Sequence, residues 1–153
     1  MFRGASSVNL DAKGRIGIPS RFREILREQC EGRLVLTVNH TKERCLWLYP
    51  LNEWDIVERQ VAELPSFDAT AQQLKRFLIG YATDCDIDSV GRIRVSPLLR
   101  EFAGLEKRVV LIGQRNKFEI WNESLWNQRC EEWLQQTEPA ERQLPIELES
   151  ISL

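Results

Sequence analysis

The chain has 153 residues, 42% of them apolar and 29% charged, with a formal net charge of −2 at pH 7. That length fits one large domain or two small ones, and that composition is ordinary for a globular protein, so disorder is not the default. The overall charge argues weakly against a nucleic-acid binder, but it conceals a polarised distribution: the first 27 residues carry six Lys or Arg against two acidic residues, so the remainder is acidic.

Gly4 to Leu10 alternates weakly and predicts a short strand. It enters Leu10-Asp11-Ala12-Lys13-Gly14-Arg15, which is turn chemistry. The Asp carboxylate can accept hydrogen bonds from backbone N–H groups one or two residues on, and Gly supplies a positive φ. Ile16 and Ile18 then alternate as a half-buried strand and predict the partner of the first. Residues 20–30 predict a helix with Phe22, Ile25 and Leu26 on one face, ending near Gly32. Leu34 to Val38 and Cys45 to Tyr49 predict two further strands around a polar turn, the second stopped by Pro50.

Residues 51–64 predict a helix with Trp54, Val57, Val61 and Leu64 on one face and Asn52 as its cap, broken by Pro65. A second helix starts near Thr70, with Leu74, Phe77, Leu78 and Tyr81 aligned. This pair is too apolar for a loose linker. The first pattern then returns. Ile87-Asp88-Ser89-Val90-Gly91-Arg92-Ile93-Arg94-Val95 matches the first turn and strand at an offset of 77 residues. Ser96-Pro97 predicts an N-cap and first turn for a helix over 97–103, ended by Gly104. Val109 to Ile112 and Phe118 to Trp121 repeat the later strands, and Trp126 opens a last helix as Trp54 does, the offset having shortened to 72. The tail from Glu138 is acidic and reads as mobile, although Leu144, Ile146 and Leu148 alternate.

A unit of about 50 residues buries little core alone. Two such units predict mutual packing: an α+β fold of tandem ββαββ repeats around one pseudo-symmetric, barrel-like β core, with helices outside.

The four cysteines lack Cys-x-x-Cys spacing and the single His40 sits in a polar turn, so neither a metal site, a dithiol motif nor a catalytic constellation is predicted. No cofactor or small-molecule ligand is expected. Met1-Phe2-Arg3-Gly4 does not read as a signal peptide, and no apolar run nears the roughly 20 residues of a membrane helix. The expectation is a cytosolic protein, not an enzyme, with reduced cysteines packed among apolar neighbours.

A plain hairpin turn does not require Arg after Gly twice, with basic residues clustered beyond it. For a DNA binder, Arg15 is the first candidate for a base contact, because a guanidinium can pair bidentately with guanine. Arg3, Lys13, Arg21 and Arg23 are candidates for phosphate contacts. Asp11 and Gly14, with Asp88 and Gly91, are the turn-forming residues. Arg92 is a further DNA candidate, its alternative being a simple ion pair with Asp88.

These two Asp-x-x-Gly-Arg elements resemble the DNA-binding elements of the SpoVT/AbrB superfamily. Two copies on one chain resemble the MraZ family of bacterial transcriptional regulators, as do Met1-Phe2-Arg3-Gly4, Leu48-Tyr49-Pro50, Gly113-Gln114 and Lys117-Phe118-Glu119-Ile120-Trp121. The resemblance implies swapped-hairpin repeats over 5–52 and 81–124, a helical connector over 53–80, and a C-terminal helix and tail over 125–153. It also implies binding to direct repeats in promoter DNA, repression of the protein's own gene and of the adjacent division and cell-wall cluster, a ring-like homo-oligomer, and a place in the cytoplasm over the nucleoid. One departure is Val90 where the first copy has Lys13, which lowers the expected share of the second repeat in DNA contact. The competing reading is an oligomeric, division-associated scaffold without sequence-specific DNA binding.

Overall fold

The computed structural model describes residues 1–136 and 150–152; the acidic tail with Leu144, Ile146 and Leu148 lies outside the described residues. Among them the chain forms an α+β fold in the order β1 (Phe2–Asn9), β2 (Arg15–Gly17), α1 (Ser20–Cys30), β3 (Arg33–Val38), β4 (Leu46–Pro50), α2 (Leu51–Ala62), α3 (Ala69–Leu78), β5 (Thr83–Asp86), β6 (Arg92–Arg94), α4 (Pro97–Ala103), β7 (Arg108–Arg115), β8 (Phe118–Asn122) and α5 (Glu123–Gln135).

The strands are antiparallel and divide into a six-stranded sheet, β1-β7-β8-β4-β3-β5, and a two-stranded ribbon, β2-β6. The six-stranded sheet is open, with β1 and β5 at its edges, so the barrel-like core is not closed. β5 is only four residues long and polar, Thr-Asp-Cys-Asp, and offers too little apolar surface to carry the sheet onward. The first strand does not take β2 as its partner either. Beyond a single bridge at Leu10/Ile16, β1 pairs with β7 and β2 pairs with β6. The two repeats are thus laced together: β1–β7, β2–β6, β3–β5 and β4–β8 all cross between them.

Alternation assigns the two faces of the sheet. Leu34, Leu36, Val38, Leu46, Leu48, Val109, Leu111, Phe118 and Ile120 point to one side and meet Ile16, Ile18, Ile93 and Val95 of the ribbon, with Phe22 and Leu26 of α1 and Leu99 and Ala103 of α4. Phe2, Phe22 and Phe118 close this layer, with ring centroids 4.3 to 5.8 Å apart. On the other face Val35 and Tyr49 pack with Trp54, Val61 and Leu78 of α2 and α3. Trp121 packs there against Trp126 and Trp133 of α5. Interior strand β3 is covered on both faces, which is why its sequence reads as a continuous apolar run rather than an alternation.

The helix ends follow local chemistry. Ser96 Oγ accepts from Leu99 N–H with Pro97 in the first turn, as predicted, and Gly104 closes α4 at φ +59°. α2 differs: it begins directly after Pro50 with no side-chain cap, and Asn52 lies inside it.

Candidate nucleic-acid interface

The two turns are near-copies at atomic detail. Asp11 Oδ1 accepts from the backbone N–H groups of Lys13 and Arg15, both at 2.9 Å, and Asp11 Oδ2 accepts from Arg15 Nε at 2.8 Å. Asp88 Oδ1 accepts from Val90 and Arg92 N–H, again at 2.9 Å, and its Oδ2 from Arg92 Nε at 3.1 Å. Gly14 and Gly91 donate back to the carbonyls of Asp11 and Asp88 at 3.0 Å, with φ of +79° and +88°. The Arg15 and Arg92 backbone N–H groups hold the Asp11 and Asp88 carboxyls below the usual carboxylate range, and the Arg side chains reinforce this. Asp-x-x-x-Arg spacing is what lets one carboxylate serve both the backbone and the guanidinium. Each ion pair uses Nε, so the terminal guanidinium nitrogens remain to serve an outside acceptor. The Arg side chains are about 30% exposed (30% for Arg15, 31% for Arg92), so they are braced yet reachable.

Each turn rests on the other repeat. Val95 N–H donates to Gly14 C=O and Ile18 N–H donates to Gly91 C=O, both at 2.8 Å. A Cβ on Gly14 would lie 2.9 Å from Arg100 Cζ and 3.0 Å from the Val95 carbonyl oxygen; one on Gly91 would lie 2.4 Å from the Arg23 guanidinium. Arg23 and Arg100 occupy the same place in the two copies, 77 residues apart. The helix of each repeat therefore supports the turn of its counterpart.

Between the turns runs the ribbon. Arg15 faces Arg94, Ile16 faces Ile93, and Gly17 faces Arg92. Ile16 and Ile93 are buried, so alternation sends Arg15, Arg92 and Arg94 to the opposite, outer side. Lys13, Arg15, Arg92 and Arg94 gather at the ribbon and its turns with only Asp11 and Asp88 as acids on these segments. Arginines directly opposite one another disfavour the bare ribbon and favour an anion bound across it.

The remaining candidates are placed differently. Arg23 donates from Nε to Ile18 C=O at 2.6 Å and lies under the second turn. Arg21 donates to Ser6 Oγ at 2.8 Å and covers the Phe22 ring. Arg3 is exposed near the start of β1, roughly 20 Å of extended strand from the Leu10 entry to the first turn. Sequence reading missed Arg94 and Arg100. Period two from Arg92 points to Arg94, and the 77-residue offset from Arg23 points to Arg100.

Among the described residues no group of His, Cys, Asp and Glu could hold a metal ion, and no helix is long and apolar enough to cross a membrane.

The family model described as "MraZ protein, putative antitoxin-like" matches residues 1–77 and again 78–145, one match per repeat. The chain belongs to the MraZ family. It is 54% identical to a protein from Halorhodospira halophila (strain DSM 244 / SL1) and 46% identical to one from Thioalkalivibrio sulfidiphilus (strain HL-EbGR7). A relative from Serratia proteamaculans (strain 568) is 43% identical. All three alignments span 153 residues and the whole of both chains, and all three relatives carry the name transcriptional regulator MraZ. The family is one of regulators rather than enzymes.

Proposed function

We propose that this protein is a sequence-specific DNA-binding transcriptional regulator whose reading head is the β2–β6 ribbon. The observation that carries this is the pair of carboxylate-braced arginines, one from each repeat, flanking a ribbon with a third arginine on its outer side. Three residues per strand give a ribbon about 10 Å long, and a two-stranded ribbon enters a major groove about 12 Å wide. Arg15 and Arg92 offer their terminal nitrogens to base edges. Lys13 meets phosphate, and Arg3 and Arg21 extend phosphate contact along the flank. Arg23 has a different part: it positions the second turn. The Val90-for-Lys13 departure removes a phosphate contact from the second repeat but leaves its Asp88–Arg92 pair intact, so both repeats contribute.

The strand exchange between repeats supports the swapped-hairpin description, with repeats at 5–52 and 81–124, a connector at 53–80 and a C-terminal helix and tail at 125–153. The names of the relatives support regulation of transcription. A ring-like homo-oligomer on direct promoter repeats, repressing its own gene and the neighbouring division and cell-wall cluster within the nucleoid, completes the reading. The open edges of β1 and β5 and the exposed Ile56, Phe67 and Phe77 supply surface for such assembly.

The test is binding to a duplex from upstream of the protein's own gene against scrambled DNA at two salt concentrations, with the mass of the free protein measured in parallel. Preference for the upstream duplex, with affinity falling as salt rises, is expected. Equal binding to both duplexes contradicts the reading and favours the scaffold.

A further inference from the structure

The ribbon has a pseudo-twofold axis through the Ile16/Ile93 pair. Exchanging the repeats carries the Arg15/Arg94 pair onto the Arg92/Gly17 pair. Braced arginine therefore maps onto braced arginine, with matching turns and matching ion pairs. The position two residues later does not match: it is Gly17 in the first repeat and exposed Arg94 in the second. The ladder bonds at Gly14/Val95 and Ile18/Gly91 make Arg15/Arg94 and Gly17/Arg92 the close, non-hydrogen-bonded pairs. One end of the ribbon thus presents two guanidinium groups side by side, and the other presents one beside bare backbone.

Nothing in the fold requires glycine at position 17. It has no positive φ, and a Cβ there would meet no atom within 4 Å. Its equivalent in the second repeat, Arg94, enters no side-chain hydrogen bond or ion pair among those found within the described residues, although it lines a groove with Asp84 and Asp86. The fold thus does not require glycine at 17, and the asymmetry sits on the face that the proposed function assigns to base edges.

From this we infer that the ribbon is a directional reader: Arg94 is a specificity-determining residue that contacts a base edge and, with Gly17 at the equivalent position of the first repeat, fixes the orientation of the protein on a non-palindromic duplex element. The inference rests on the DNA-reading function proposed above. Without the 17/94 difference the two braced arginines would accept the element in either sense. With it, one sense gains an arginine–base contact, which corresponds to an orientation preference of roughly 5- to 150-fold.

Orientation is read by cleavage from a tethered iron–EDTA attached at the tip of the first turn through Ala12→Cys, with Cys30→Ser and Cys130→Ser in the background. The probe is a duplex carrying one copy of the shortest element that the unsubstituted protein protects. Two variants restore the twofold from opposite directions, Arg94→Gly and Gly17→Arg. They change the charge in opposite senses, so an effect of charge alone would move their affinities apart, whereas loss of orientation is common to both. The parent protein is expected to cut one flank, and both variants to cut the two flanks within about threefold of each other. If Arg94→Gly does not fold, Gly17→Arg carries the comparison alone. One-sided cutting by a folded variant overturns the inference and leaves Arg94 to the β5 aspartates, while DNA reading by Arg15 stands. Equal cutting of both flanks by the parent also overturns it. A parent with no preference for any element contradicts the proposed function itself.

Discussion

Replacing Gly14 by Ala isolates how much the first turn depends on the second repeat. Two costs apply. An L-residue at φ +79° costs roughly 1–2 kcal/mol. The added methyl would also stand 3.0 Å from the Val95 carbonyl oxygen and 2.9 to 3.1 Å from Arg100. Arg100 can swing, but the Val95 carbonyl is backbone within the structure that holds the turn, so overpacking adds about 1–3 kcal/mol. Gly104→Ala is the control. Its φ is +59° and its Cβ position is open, so only the conformational cost of about 1–2 kcal/mol applies. Urea unfolding of both variants should therefore show Gly14→Ala less stable than Gly104→Ala by about 1–3 kcal/mol. Affinity for the upstream duplex should drop for Gly14→Ala and hold for Gly104→Ala. Equal destabilisation, or full DNA binding by folded Gly14→Ala, would refute the idea that the turn is seated on its counterpart.

Glu119 is 9% exposed and accepts from the indole N–H groups of Trp47 and Trp121 at 3.0 and 3.1 Å. Glu119→Ala orphans both donors and should cost about 2–4 kcal/mol in urea unfolding; a cost below about 0.5 kcal/mol, the scale of an ordinary surface change, contradicts the assignment. Asp11 and Asp88 titrate lower in the folded protein than in the unfolded chain. Their contribution to stability is thus complete above the ordinary carboxylate range, near pH 4, and is lost as pH falls through the depressed folded values. The Asp11→Asn, Asp88→Asn double variant should flatten that acid limb of the urea midpoint, and an unchanged limb would disprove it. Burial pushes the Cys85 thiol up to about 12 and the Cys45 thiol higher still. A thiol reagent at pH 8 should label Cys30 and Cys130 in the native protein and reach Cys45 and Cys85 only on unfolding.

The Asp-x-x-Gly-Arg turns were legible in the sequence because the bonds that close them are local, from Asp11 to Arg15 and from Asp88 to Arg92, although their seats lie on the opposite repeat. The α4 start was legible for the same reason: Ser96 and Pro97 act within one helical turn. What failed was long-range. The partner of β2 lies 77 residues away in β6, and alternation in Ile16 and Ile18 gives a buried face without naming the strand beside it. Sheet closure failed likewise, since which strands lie at the edges is set by pairings between distant segments, β1 with β7 and β3 with β5. Arg23 reads as a phosphate contact and Arg100 carries no assignment until the fold brings each against the glycine of the opposite turn. Asn52 had the chemistry of a cap, but Pro50 turned the chain into α2 two residues earlier.

Recognition by Arg15 is the central claim, and comparing Arg15→Lys with Arg15→Ala tests it most directly. Lysine keeps the charge for phosphate but lacks the planar fork that pairs with two acceptors of one base. The quantity to measure is the ratio of affinities for the upstream and scrambled duplexes at fixed salt. Both variants should lose a large part of that ratio, by roughly 5- to 150-fold, with Arg15→Lys retaining more of its affinity for scrambled DNA. An Arg15→Lys protein that discriminates as well as the parent would show that Arg15 supplies charge alone, and would contradict base reading by the first turn.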